Sequence, residues 1–507
     1  MVKQAIFWFC GMLSIVLAGA GAAPCRAALN WSAGSSTTVS SLDNTDAGPG
    51  YARDSSGNLW YVYSDGSPQP IWHVLEGTDM DNLVQKYTFN PVQAFGQPNG
   101  DDRYWIIGLW IDPNTGYWYV TVHIEYDYDK WGYSTGDNDH LRRIDLVESQ
   151  NDGQSWTLEG DIITAPTDVT PPAGYSGDKY FGDGDQKLYV DTAHGYFYLF
   201  YMIAWMNPRT GSRDLETITA ARCLISDKMA PGKWTKWDDG SWSAPGRGGD
   251  ESTIISPSNP YQYVDSFTVF WSTYADEYLA IVNDTQGSIY ACSDLSGESW
   301  TRQSGPGLGL LWYNWPLDAQ NLASDGIVGQ TMRLYSADND YGGNETKYTP
   351  VTLSGGGASP FASGTYYQII DRNSGMALAV SGASTSDGAA IVQEPVSSTA
   401  TEQQWLPTAM GTGEYTFTNR NSGQVIGVGG GDTADGGTVL QWPFVSTAYD
   451  QQWSLEPTES GYYKLVDLNC DRIMGIASSS KSAGAQAITW DDVYQDEDQE
   501  FSFQAVP

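Results

Sequence analysis

Short apolar and aromatic runs alternate with clusters of Gly, Asn, Asp and Pro from about residue 45 to the end of the chain, and no segment sustains a 3.6-residue hydrophobic period. Side chains of an extended backbone point to opposite faces in turn, so runs of this kind, bounded by turn formers, predict strands. The expected class is all-β. Within residues 45–352 one pattern recurs loosely: an apolar strand, a tight turn, then a second aromatic strand. Its copies are YARDSSGNLWYVYSDGS, GLWIDPNTGYWYVTVHIEY, KLYVDTAHGYFYLFYMIAW, SFTVFWSTYADEYLAIVND and SDGIVGQTMRLYSADND, with turns near Gly57, Gly116, Gly195, Asp276 and Gly329. The turns lie 59, 79, 81 and 53 residues apart. Four-stranded units repeated at such distances predict a β-propeller of five blades with loops of unequal length.

Two copies end in a further signature. Ser149–Trp156, SQNDGQSW, fits the Ser-x-Asp/Asn-x-Gly-x-Ser/Thr-Trp turn known as an Asp box, and Ser293–Trp300, SDLSGESW, is a degenerate version. Its polar residues cap a hairpin and its Trp packs between sheets, which is structural chemistry. After a Gly/Ser/Pro linker at residues 353–363, a sharper repeat begins. Closing triplets start at Gln403, Gln451 and Gln499, 48 residues apart each time. Three equal units closing on Gln-x-Trp/Phe resemble the ricin-type β-trefoil, the fold of carbohydrate-binding module family 13. The resemblance implies sugar pockets with aromatic platforms at Trp442 and Trp490, and polar pairs Asp450–Gln451 and Asp498–Gln499. An aspartate that the family uses to bind sugar hydroxyls is replaced here by Ala379, Gly427 and Gly475. Packing of the glutamines and closing aromatics into the trefoil core is the competing role.

Composition narrows the setting. The N-terminal stretch MVKQAIFWFCGMLSIVLAGAGAAPCRAALN joins one lysine to about fifteen apolar residues and then small residues, as in a secretory signal peptide. Residues 1–27 are therefore expected to be a signal, 28–352 the propeller, 353–363 the linker and 364–507 the trefoil, in a secreted, extracellular or periplasmic monomer without membrane insertion. The chain has 61 acidic against 25 basic residues, a net charge of -36, which repels a phosphate polymer and argues against nucleic acid as a partner. Its 21 Trp and 32 Tyr suit both sheet faces and sugar stacking. Cys223, Cys292 and Cys470 are too few and too scattered for a disulfide framework or a metal motif, although the first two could pair.

Candidate chemistry lies in carboxylates. Asp183, Asp185 and Asp191 crowd the strand DGDQKLYVDTAHGYFYLFY, and unpaired charge is costly to bury. In a propeller, first-strand starts from several blades converge at one channel mouth, which is where Asp183 and Asp185 are expected. This strand resembles the third-blade strand of glycoside hydrolase family 43, in which an aspartate six residues before a second one tunes the acid; Asp185 and Asp191 match. GGDESTIIS resembles the segment bearing the family's general acid, matched by Glu251, and the general base maps to Asp46, with Asp43 and Asp54 as rivals. The resemblance implies inverting hydrolysis of an arabinofuranoside- or xyloside-containing polysaccharide, with Glu251 as donor, Asp46 as base and Asp185 as modulator.

On the returning strands, His123 and Glu125 share a face, and with Asp183 and Trp105 are candidate substrate contacts. Asp338 and Asp340 add acids to the same end, while Trp110 and Trp205 are candidate stacking rings. Four histidines without metal spacing argue against zinc, no cofactor is assigned, and a calcium ion among the channel aspartates is conceivable. Two rivals remain: a sialidase-like site using three of Arg53, Arg103, Arg222, Arg247 and Arg333, and a non-catalytic lectin or adhesin. No histidine has the His/Tyr/Arg setting of a polysaccharide lyase.

Overall fold

The computed structural model describes residues 29–506 apart from 40–41, 43–46, 66–68, 99, 128–139, 167–178, 208–211, 256–263, 265, 285–286, 311–312, 324–325, 339–344, 356–358, 411–412, 459–460 and 495. The signal-peptide reading and Asp46, Asp43 and Asp340 fall outside the described residues. Among the described residues no helix is long and apolar enough to cross a membrane.

Five four-stranded antiparallel blades form the propeller. The first runs through Gly50–Arg53, Leu59–Ser64, Trp72–Gly77 and Val84–Phe89. The second comprises Arg103–Ile111, Trp118–Tyr126, Leu141–Ser149 and Thr157–Ile163, and the third Lys179–Asp191, Tyr196–Asn207, Ser212–Leu224 and Thr235–Asp238, extended by Ser241–Pro245. Phe267–Ser272, Glu277–Val282, Ser288–Cys292 and Thr301–Arg302 make the fourth. The fifth takes Tyr313–Asp318, Thr331–Asp338 and Glu345–Ser354, and its outer strand is Asn30–Ala33 from the other end of the chain. That pairing ties the ring shut and leaves no open first or last blade.

Each pair of neighbouring blades encloses its own apolar cluster. Trp60, Trp72, Trp118 and Trp156 fill the first interface, and Trp110, Phe197, Tyr201 and Trp234 the second. Further clusters join the third blade to the fourth, the fourth to the fifth and the fifth to the first. Aromatic alternation in the sequence is thus the wedge packing of a closed ring, not a sugar-stacking surface: Trp105, Trp110 and Trp205 are all buried. In Ser149–Trp156, Ser149 Oγ accepts from Gly153 N–H (3.0 Å) and Asn151 Oδ1 from Ser155 N–H (3.0 Å), while Trp156 packs edge-on against Trp72.

The fifth copy needs correction. Its inner strand is Tyr313–Asp318, whereas Ile327–Val328 pairs in parallel with Phe267–Ser272 of the fourth blade. Pro316 inside YNWPLD disguised the strand. It is tolerated because an inner strand has a partner on one side only, so its missing N–H costs no ladder bond.

Twelve strands between Tyr366 and Val506 form the trefoil around Trp405, Trp453 and Phe501, the three closing aromatics. The trefoil docks on the propeller face that carries the turns between first and second strands. Arg472 donates to Asp54 O (2.5 Å), Asp435 N–H to Ser55 O (3.2 Å) and Trp271 Nε1 to Leu455 O (3.4 Å), and Thr192 bonds Asp492. Cys223, Cys292 and Cys470 are buried free thiols, so the possible Cys223–Cys292 pair is not formed.

Candidate functional site

The end of the channel remote from the trefoil is where inner strands begin. Glu125 stands opposite Arg103, the first residue of its blade's inner strand, and Tyr313 opens the inner strand of the fifth blade. Here the structure brings together His123, Glu125 and Asp185, with three residues that the sequence reading did not single out: His140, Arg142 and Tyr313. Asp185 N–H donates to His123 Nδ1 (2.7 Å), which puts the imidazole proton on Nε2, facing Glu125 Oε1 at 3.7 Å. Arg142 donates from Nη1 to Asp185 Oδ2 (3.1 Å) and from Nε to His140 Nε2 (3.2 Å), so one guanidinium ties Asp185 to the imidazole beside Glu125. Tyr313 OH reaches from the fifth blade to Asp185 Oδ1 (3.0 Å).

Burial works to raise the pKa of Glu125, but the neighbouring imidazoles, His140 first, more than offset it and hold the carboxyl well below the usual range. Glu125 is ionised at neutral pH. Trp105, expected to contact substrate, is 6% exposed and donates its indole N–H to Glu125 Oε2 (3.2 Å), so it orients the acid.

Asp183 and Asp185 do not act side by side. The ladder slips between Gly184 and Lys187, and Asp185 adopts φ +50, a left-handed conformation uncommon for a residue other than glycine. This bulge aims Asp185 at the channel mouth, whereas Asp183 turns between blades. There Lys236, itself buried, donates to Asp183 Oδ2 (3.0 Å), Glu251 Oε2 (2.7 Å) and Thr164 O (2.9 Å), and Tyr201 OH donates to Glu251 Oε2 (2.8 Å). Burial would lower the Lys236 pKa, yet its two carboxylates raise it. Glu251 therefore shares a cation with Asp183, and the described contacts of Asp185 lie elsewhere. Asp191 does not tune Asp185 either: six residues of strand span roughly 20 Å, and Asp191 caps the turn at the trefoil end, bonding His194 Nδ1 (2.9 Å).

The arginines of the sialidase-like reading are dispersed. Arg222 lies between Tyr196 (4.3 Å) and Trp242 (4.8 Å), Arg247 pairs with Asp161, Arg333 with Asp81, and Arg53 bonds Gly57 O and Asn321. Among the described residues no three His, Cys, Asp or Glu side chains are placed to hold a metal ion.

In the trefoil, Trp442 and Trp490 are 45% and 41% exposed, as platforms require. The glutamines are buried and fully engaged. Gln451 accepts from Val445 N–H (2.8 Å) and donates to Pro443 O (3.1 Å); Gln499 accepts from Val493 N–H (2.9 Å) and donates to Asp491 O (2.7 Å). They brace the loops behind the platforms. Asp498 is buried and accepts from Ile476 N–H (3.1 Å), while Asp450 remains partly exposed. A Cβ on Gly427 would lie 3.0 Å from Gln451 Cγ, so this unit has closed the space in which the family's aspartate would stand.

Residues 360–442 match the family described as ricin-type beta-trefoil lectin domain-like. The matched segment and the strands that follow it fold as a β-trefoil. Among solved structures, a designed threefold-symmetric protein, ThreeFoil, is 34% identical over 27% of this chain and 97% of its own, with a TM-score of 0.27. An exo-beta-1,3-galactanase from Clostridium thermocellum is similar over 93% of this chain and 100% of its own at 16% identity and TM-score 0.35. A family 43 beta-1,3-galactosidase is similar over 91% of this chain and 90% of its own at 13% identity and TM-score 0.33. No curated protein matches.

Proposed function

We propose that the protein is an exported glycoside hydrolase acting on polysaccharide at the open mouth of the propeller channel, held near its substrate by the trefoil. The observation that carries this reading is the pair Glu125 and Asp185, gathered by His123 and Arg142 where inner strands of three blades meet. Inverting hydrolysis needs an ionised carboxylate to activate water and a protonated carboxyl about 6.5–9.5 Å away. Glu125, held ionised, suits the base, a role the sequence reading gave to Asp46. Glu251 suits the donor: it shares the buried Lys236 ammonium with a second carboxylate, Asp183. Glu251 is the more accessible of the two, 4% against 0%. The neighbouring acid that modulates the donor is then Asp183, and Asp185 aligns base and substrate.

Neutral arabinose- or xylose-containing polymers remain the proposed substrates, since the acidic chain repels polyanions at long range. The test is sugar release from arabinans, arabinoxylans, galactans and sialylated glycans by the wild type and by Glu251→Gln. Release that the folded variant loses supports the reading. Binding to some glycan without release from any would favour a propeller that only binds.

A further inference from the structure

Three strands of the third blade send side chains toward Glu251: Asp183 from Lys179–Asp191, Tyr201 from Tyr196–Asn207 and Lys236 from Thr235–Asp238. All three are fully buried, and Glu251 is 4% exposed. Both donors reach the same oxygen, Lys236 Nζ (2.7 Å) and Tyr201 OH (2.8 Å) donating to Glu251 Oε2. A carboxylate oxygen has two lone pairs, so Oε2 is filled. The ammonium has three hydrogens, and Asp183 Oδ2, Glu251 Oε2 and Thr164 O take them. Lys236 therefore has no proton to redirect. Burial first, then Glu251 and Asp183, push the Tyr201 phenol well above its usual range, so it keeps its proton and donates across the neutral range.

A proton on Oε2 would have to displace one of these donors, whereas a proton on Oε1 displaces neither of them. We propose that Tyr201 is a positioning residue for the acid: with Lys236 it fills Glu251 Oε2, confines the transferable proton to Oε1 and sets the pH at which that proton is lost. On the reading of Glu251 as donor, on which this rests, the Oε1–H bond breaks as the proton passes to the glycosidic oxygen. The electron pair of the breaking C–O bond stays on that oxygen, while water attacks the anomeric carbon and gives its proton to Glu125. Glu251 is left as a carboxylate whose new charge meets two donors already in place. A hydrogen bond to the charged form favours that form, so losing the phenol makes the proton harder to remove.

Tyr201→Phe keeps the ring in its apolar cluster and removes only the hydroxyl. Initial rates of the full chain are followed against pH on two substrates. One is the polysaccharide of the panel that it cleaves best; the other is the para-nitrophenyl glycoside of the sugar released, whose leaving group needs little protonation. On the polysaccharide kcat should fall about tenfold with KM unchanged, and the alkaline limb should move up by about one pH unit. The nitrophenyl glycoside should be cleaved at nearly the wild-type rate. Equal losses on both substrates, or an alkaline limb that stays in place, overturn the proposal. A second readout needs no turnover: the Glu251 carboxyl carbon in protein made with isotope-labelled glutamate, assigned by its absence in Glu251→Gln, is titrated by NMR. It should titrate about one pH unit higher in Tyr201→Phe than in the wild type. A wild type that releases no sugar refutes the donor reading of Glu251, while an unchanged carboxyl titration refutes the role of Tyr201.

Discussion

Glu298 offers a quantitative test of how tightly the third and fourth blades close on each other. Its carboxyl is buried in the Ser293–Trp300 turn at φ +43, with Oε2 accepting the Trp300 indole N–H (2.7 Å) and Oε1 without a hydrogen bond. Burial pushes its pKa from 4.5 up to about 8, against the opposing pull of the Trp300 bond and of Arg222. The folded protein therefore keeps a proton that the unfolded chain releases near pH 4.5. Between those two values the folded state binds more protons, so stability is fully present below about pH 4.5 and falls as pH rises through about 8. At about 1.36 kcal/mol per pH unit, the full difference is roughly 5 kcal/mol. Glu298→Gln keeps the acceptor for Trp300 but cannot ionise. Denaturant titrations of both proteins at pH 5 and pH 8.5 measure the effect: the wild type should lose roughly 4 kcal/mol more than the variant over that interval. Equal losses would mean that Glu298 is solvated and that the turn does not seal the interface.

Other consequences follow from the buried ion pairs and the exposed rings. Lys236→Met strands Asp183 and Glu251 together, and should cost about 3–5 kcal/mol in denaturant titrations at pH 7. Arg472→Met removes the cation that pairs with Asp435 (3.2 Å) inside the trefoil and bonds Asp54 O across the domain contact; in calorimetry the trefoil and propeller transitions of the variant should lie further apart than those of the wild type. Trp442→Ala should change stability by no more than about 0.5 kcal/mol, yet weaken retention on insoluble polysaccharide by up to about tenfold, the worth of one stacked ring.

The regular parts of this architecture are legible in the sequence because they rest on periodicity. Alternating aromatics mark the blades, and the spacing of Gln403, Gln451 and Gln499 marks the trefoil units. The inner strand at Tyr313–Asp318 was hidden by Pro316, which reads as a break unless the strand is known to be an edge. The site was legible only in part, since His123, Glu125 and Asp185 converge, but the bulge that parts Asp185 from Asp183 leaves no mark on a period-2 pattern. The partners come from strands far away in sequence. Lys236 did carry a signal, standing two residues after the buried Trp234 in an aromatic run. A lysine at an inward position calls for a counter-charge, and following that rule would have found its two carboxylates.

The central claim is that the open channel mouth performs hydrolysis with Glu125 as its base. Its most direct test is the initial rate of reducing-sugar release from the best polysaccharide of the panel, comparing the wild type with Glu125→Gln at matched folded concentration. The account predicts that kcat falls by at least about a hundredfold, with little change in melting temperature or in retention by the trefoil. A variant that releases sugar at the wild-type rate would contradict it and move the base elsewhere.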